Sequence, residues 1–395
     1  MNAIPRRWRG YLWWLAGLAV FFAVYFPLRR CRSAMNWLCG RVIFPLEQAL
    51  GRLCSLTSVS VAEVLILSAV YCAVIYLGWQ IRCFILLPHR GRRAGRMGLT
   101  LLCVGLSIYA GFCLLWGVFY GASAFQEKSG LTARGGTAEE LSALTQYFAD
   151  RLTILAPQVK RDKDGCFAVS RQEIFDDAMR AYDGIVQEFD CLSKPEVSPK
   201  AFVSSRGMSY LDFSGFYFPF TGEANLNDES PACYLPANIC HELAHQQGIA
   251  TEQECNFVGI MAAVLSSSDI YRYSGYLMGY VHLSNALYRV DRDAWQSIRG
   301  SLPDTVRADL QENHDYWAQF SGPVQTVANA VYDGFLKSNG LQDGIQNYGT
   351  VVDLLLAYYY EGLQPCSRPG YNVLKVFVQL MFSHMRDPVA EAFLG

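Results

Sequence analysis

Residues 236–256 read PANICHELAHQQGIATEQECN, and their spacing decides how the rest of the chain is read. Positions four apart share one face of an α-helix, so His241 and His245 can aim their imidazoles at one point, with Glu242 beside that face. Pro236 suits the first turn of such a helix, and Gly248 is a natural stop after His245. Two imidazoles at this spacing can hold one metal ion. Glu242 is then a poor ligand but a well-placed general base for a water that the metal activates.

A catalytic metal needs a third protein ligand and one open position. Glu252 and Glu254 are the candidates. Thr251 can cap a new helix, and Glu254, three residues on, can close a capping box with it, which leaves Glu252 freer to bind metal. Asn256, one turn after Glu252, is placed to orient a ligand. A developing oxyanion also needs a donor. Tyr276, Tyr280 and His282 are candidates on the next helix, with Tyr348 more distant, although such residues also pack in cores without catalytic duty.

Upstream, residues 201–225 are aromatic and β-prone between Gly and Pro, which predicts a small sheet ahead of the motif. Residues 216–220 read as an edge strand able to pair with an extended peptide, and Glu223 and Asn225 follow it. Elsewhere the C-terminal part reads as helices: one opened by a Thr137/Glu140 capping box, then 171–189, 268–290, 323–338, 348–360 and 371–385.

The N-terminal part has a different character. Residues 1–126 hold thirteen Arg, no Lys and two acids, whereas the remainder has 20 basic against 33 acidic residues, so the net charge of −2 hides two regions. A basic apolar segment beside an acidic polar one is the composition of a membrane domain (1–126) joined to a water-soluble domain (127–395). The acidity of the latter argues against nucleic-acid binding. Three stretches, 11–28, 64–81 and 99–125, are long and apolar enough to cross a bilayer, the first as an uncleaved anchor. The 29–60 linker is about as basic as that following the second span. Weighting Arg6, Arg7, Arg9 and the 90–96 cluster as cytoplasmic puts the C-terminal domain outside. Residues 35–53 read as an interfacial helix or as a packed loop interrupted by Pro45. The thirteen cysteines form no CxxC pair, so no thiolate zinc site is indicated. Six lie beyond residue 126, and free buried thiols are expected there, although an outside domain would permit disulfides.

Three segments carry a resemblance: FPFTGEAN (218–225), HELAHQ (241–246) and EQECNF (252–257). With 336–344 and 348–357 they resemble an uncharacterised bacterial family of membrane-anchored zinc-metallopeptidase-like proteins, over most of the chain. Residues 252–256 are also similar to the Glu-x-x-Ala-Asp/Asn segment of gluzincin peptidases, whose first Glu binds zinc; Cys255 replaces the usual Ala. The resemblance implies a zincin-like domain, one zinc ion on His241, His245 and Glu252, and a peptide substrate. A third-His pattern fails because Thr251 stands at that position. The chain is therefore expected to be an α-rich α+β protein: three transmembrane helices in a bacterial cell membrane, then a zincin-like metallopeptidase domain. Glu242 is its general base, with Tyr276 and His282 as transition-state donors. The rival expectation is a membrane scaffold or sensor with a structural zinc.

Overall fold

The computed structural model describes residues 6–88, 90–338 and 349–360. The helix expected at 371–385 and Tyr348 lie outside them. Among the described residues, three helices are long and apolar enough to cross a membrane: Trp8–Leu28, Val61–Leu86 and Arg90–Gly117. Only 11% of each apolar window is buried, so these helices present an apolar surface that water would not tolerate. The second is opened by Ser60, whose side chain accepts from the backbone N–H of Glu63.

The third ends at Gly117, earlier than the 99–125 expected from hydropathy. After a π-helical turn at Cys113–Gly117, the chain bends through a 3-10 turn, Phe119–Gly121, and a short helix, Phe125–Ser129. Val118, Phe119 and Phe125 are buried against protein. The apolar character of 118–125 thus serves a protein core, which hydropathy alone does not distinguish from lipid contact.

The linker between the first two membrane helices is also packed. It runs as Arg32–Leu38, a π-helical turn at Cys39–Ile43, and Phe44–Cys54, with Pro45 in the first turn of the last helix, where its missing N–H breaks no ladder bond. Met35 and Ile43 join Tyr25, Trp116, Phe119 and Ala250 in one apolar cluster. Ends of the first and third apolar helices and Ala250, five residues after His245, therefore share a core.

Most of the remaining chain is helical. Ala138–Leu155 opens with the expected Thr137/Glu140 capping box. It packs with Leu235–Gln246, Glu252–Val264 and Asp269–Val290 around a core containing Phe148, Leu243, Ile260 and Leu277. The single helix expected at 171–189 is broken into Arg171–Asp177, a 3-10 turn at Ala178–Tyr182, and Ile185–Glu188. Within that turn Tyr182 donates to the carbonyl of Cys240 at 2.7 Å, tying the segment to the motif helix. Cys166, Cys191, Cys233, Cys240 and Cys255 are free thiols.

The small sheet lies where the sequence places it, with strands β1 Lys200–Phe202, β2 Gly215–Phe218 and β3 Glu223–Asn227 in the order β1-β3-β2. β1 runs parallel to β3, with Lys200 opposite Asn225; β2 is antiparallel to it, with Gly215 opposite Leu226. The central strand is buried throughout, and its first two polar residues, Glu223 and Asn225, are committed to docking. Glu223 accepts from the backbone N–H groups of Val61 and Ala62 at 3.1 and 2.8 Å and pairs with Lys200 at 2.7 Å. Asn225 Oδ1 accepts from Ser60 at 2.6 Å. In return Glu63 accepts from the backbones of Val203 and Ser204, both at 2.8 Å. These bonds use the orphan N–H groups at the start of a helix as acceptor-seeking contacts and fix the sheet to the second membrane helix.

Candidate metal centre

The motif helix Leu235–Gln246 stops where the sequence predicts. Gly248 adopts a left-handed φ of +78°; its N–H bonds to the carbonyl of His245 at 2.8 Å, and that of Ile249 bonds to Ala244 at 3.3 Å. This paired Schellman turn needs a glycine at the left-handed position. A side chain there would also place its Cβ 2.7 Å from the Phe119 ring. The turn brings the carbonyl of Ile249 to within 2.9 Å of His245 Nδ1. A carbonyl can only accept, so Nδ1 carries the hydrogen and Nε2 presents its lone pair to the site. Cys255 Sγ lies 3.2 Å from the same Nδ1.

The helix that follows, Glu252–Val264, crosses the motif helix at Gly259, where a Cβ would meet the His241 backbone nitrogen at 2.8 Å. That close approach sets its first turn against the two histidines. Asn256 Oδ1 lies 2.9 Å from His241 Nδ1, in the orienting position the spacing suggested, and frees Nε2 of that ring as well. Glu252 Oε2 lies 3.2 Å from His241 Nε2, and Oε1 lies 3.6 Å from His245 Nε2.

The structure separates the two candidate carboxylates. Glu252 faces the histidines, and one donor atom from each of these three residues lies within 4.8 Å of the others. Glu254 turns away and accepts from the backbone N–H groups of Phe125 and Gln126 at 3.2 and 3.1 Å, capping the short Phe125–Ser129 helix. The expected capping box does not form: Thr251 makes no side-chain cap bond to its helix, and its hydroxyl instead donates to the Glu254 carboxylate at 2.9 Å.

The donor set fits a small divalent cation. A tetrahedral ion with zinc-like bonds of about 2.0–2.1 Å separates its donors by roughly 3.3 Å, close to the two His–Glu spacings. Two imidazole lone pairs facing a carboxylate repel one another unless a metal or a proton lies between them. The charges reflect that demand. Burial opposes a charged His245, yet Cys255 and Glu252 raise its pKa well above the usual histidine range. Burial alone would raise Glu252, but His245 and His241 hold it well below the usual carboxylate range.

Glu242 stands beside this cluster under β2. A Cβ on Gly215 would fall 2.6 Å from Glu242 Oε1, so only glycine lets the strand pass so close. The residue is 4% exposed, and its Oε2 has no hydrogen-bond partner among the described residues. Burial pushes its pKa up to about 7, against the lowering influence of His241 and His245.

Of the two expected donors, one is near the cluster. His282 is held down to about 4 by burial and then by the neighbouring charge of His241, so it is neutral at pH 7. Tyr276 instead packs edge-on against Phe148, with ring centroids 5.1 Å apart, under the Arg151 guanidinium. Tyr280 is buried in the same helix. Three aromatic residues not singled out from the sequence border the ligands. Tyr332, on the helix Pro323–Ser338, donates to Glu252 Oε1 at 2.5 Å. Burial and then Glu252 push the Tyr120 hydroxyl up to about 12. Trp116 meets the His245 ring edge-on at 5.6 Å. No local spacing marks these residues, because tertiary packing alone brings them in.

A second group, Cys166, Asp309 and Glu312, also clusters. There Asp309 is taken up by Arg161 at 2.5 Å, the backbone of Phe167 at 2.7 Å and the Tyr273 hydroxyl, which satisfies the acid without a metal.

A family model described as "Protein of unknown function (DUF3810)" matches residues 41–356, a span that includes both site helices, the sheet and two of the membrane helices. No curated protein and no solved structure matches the chain.

Proposed function

We propose that this chain, which belongs to the DUF3810 family, is a membrane-anchored, zinc-dependent hydrolase that cleaves peptide bonds. The observation that carries the reading is the buried Oε2 of Glu242, without a hydrogen-bond partner among the described residues, beside two imidazoles whose Nε2 atoms converge on Glu252. His241, His245 and Glu252 are the ligands; zinc, when bound there, supplies Lewis acidity that polarises a carbonyl and acidifies a water.

The protein's own groups account for the rest. Glu242, with a pKa of about 7, can take a proton from the attacking water and deliver it to the leaving amine near neutral pH. The hydroxyls of Tyr332 and Tyr120 and the neutral imidazole of His282 border the ligands and are the candidate donors to a developing oxyanion. β2 is an edge strand passing over Glu242, which favours an extended peptide as the group it would align. A structural zinc site needs a closed shell of four protein ligands, whereas the described residues assemble three His and Glu ligands.

Charge placement supports an extracytoplasmic domain in a bacterial membrane. Arg32 pairs with Glu127 and Arg52 with Glu196, so arginines of the 29–60 linker are matched by acids of the C-terminal domain on the same side. The Arg6–Arg9 and Arg90–Arg96 groups then define the cytoplasmic face.

The test is metal content and hydrolysis of a quenched protein substrate by the purified full-length chain in lipid nanodiscs. One zinc per chain and chelator-sensitive hydrolysis restored by zinc are expected, with both lost in His241→Ala. Absence of bound zinc after reconstitution would overturn the proposal.

A further inference from the structure

The metal-ligand cluster sits at the level where the membrane helices end. Trp116, in the last turn of the third membrane helix, touches the His245 ring, and Phe119 packs on Gly248 just past the motif helix. The first membrane helix reaches the same level, since a Cβ on Gly117 would lie 2.4 Å from the Tyr25 hydroxyl. Glu223 accepts from the first N–H groups of the second membrane helix, and Glu63 in that helix accepts from the Val203 and Ser204 backbone after β1, which holds the sheet at that height too.

β2 then leads downward from the site. Its first residue, Gly215, lies against Glu242, while Tyr217 meets Trp116 with ring centroids 5.2 Å apart. Beyond the strand, Phe220 lies against Gly111, where a Cβ would be 2.9 Å from its ring. Gly111 is six residues before the end of the third membrane helix, or about 9 Å further into the apolar layer at helical rise. Phe216, Phe218 and Phe220 form a continuous aromatic run, with neighbouring centroids 6.3 and 5.3 Å apart. The edge strand therefore descends from the general base into the membrane level.

We infer that the substrate is a polypeptide anchored in the bilayer and cleaved close to its anchor, on the same side as the C-terminal domain; this rests on the peptidase reading above. A peptide aligned along β2 has one end at Glu242 and the other directed toward Phe220 and Gly111. At about 3.3 Å per extended residue, the four residues of β2 put the scissile bond about 13 Å from the strand end that faces the apolar layer. A substrate already held at the surface supplies that geometry without searching for it.

The test uses full-length, zinc-loaded chain in phosphatidylethanolamine/phosphatidylglycerol vesicles and one degenerate 12-residue peptide library in three forms. The forms are free, palmitoylated through a spacer of four residues, and palmitoylated through a flexible spacer of twenty. The two anchored forms share a surface concentration, so they separate position from enrichment. Products read by mass spectrometry are expected to form at least tenfold faster from the short-spacer library than from either other form. Equal cleavage of the short- and long-spacer libraries, or of the free one, would overturn the inference and leave the peptidase reading standing. Cleavage of none would overturn both. A binding readout accompanies it: Glu242→Gln protein carrying a photo-crosslinking amino acid at position 220 should capture the short-spacer library through residues nearest the palmitoyl chain. Equal capture of the free library would contradict the placement.

Discussion

Glu252 Oε2 stands 3.2 Å from Nε2 of His241, while the neighbouring acid Glu254 is spent on capping another helix. Two carboxylates two positions apart are thereby given different work by a single helical turn. Replacing them should separate metal binding from stability. Glu252→Ala is expected to abolish stoichiometric zinc, as read by elemental analysis. Glu254→Ala should keep zinc and lose about 1–3 kcal/mol of stability in denaturant unfolding, because the Phe125 and Gln126 N–H groups lose their acceptor. Equal zinc loss in both variants would contradict the assignment.

Asn256 fixes the His241 ring through Nδ1 without facing the metal position. Asn256→Ala is expected to weaken zinc affinity about 10–100-fold in competition with a chelator, leaving the fold intact by circular dichroism. Unchanged affinity would remove Asn256 from the account.

Lys200 and Glu223 form a buried pair, 7% and 0% exposed at their side chains, whose carboxylate also caps the second membrane helix. Lys200→Met leaves that carboxylate without its cation and should destabilise the protein by about 3–5 kcal/mol in denaturant unfolding. A loss below 1 kcal/mol would show that the helix N–H groups suffice.

Glu47 is 1% exposed, and the Tyr217 hydroxyl lies beside its buried carboxylate. Burial pushes its pKa up to about 9, with the Tyr217 hydroxyl lowering it in part. The folded chain thus keeps a proton that the unfolded chain loses. The stabilisation from this group is complete below the usual glutamate pKa of about 4.3, declines as pH rises from there, and is gone above about 9. Unfolding of wild type and Glu47→Gln from pH 5 to 9 should show a gap opening in favour of the variant, by at most about 1.4 kcal/mol per pH unit. Parallel pH profiles would contradict this.

How much of this could be read from the chain follows from the distance over which each contact forms. His241, Glu242, His245, Glu252 and Asn256 all fall within one helix-turn-helix, where periodicity fixes which side chains share a face; the Thr251/Glu254 capping box expected there does not form, because Glu254 caps a helix remote in sequence. Tyr332, Trp116 and Tyr120 reach the same point from remote segments, and no local pattern encodes that. Residues 118–125 look equally apolar whether lipid or protein covers them, so the third membrane helix ends earlier than hydropathy suggests. Tyr276 and His282 sit on one helix within two turns of each other, but the first packs against Phe148 and the second falls under the influence of His241. The helix carrying them was legible, and its rotation was not.

The most direct measurement is the rate of peptide hydrolysis by Glu242→Gln against wild type, each shown by elemental analysis to carry equal zinc. The substitution keeps the shape of the side chain and removes only its capacity to take a proton. Unchanged zinc content and a rate lower by about 10²–10⁴-fold are expected. Undiminished hydrolysis by the zinc-loaded variant would contradict the general-base role.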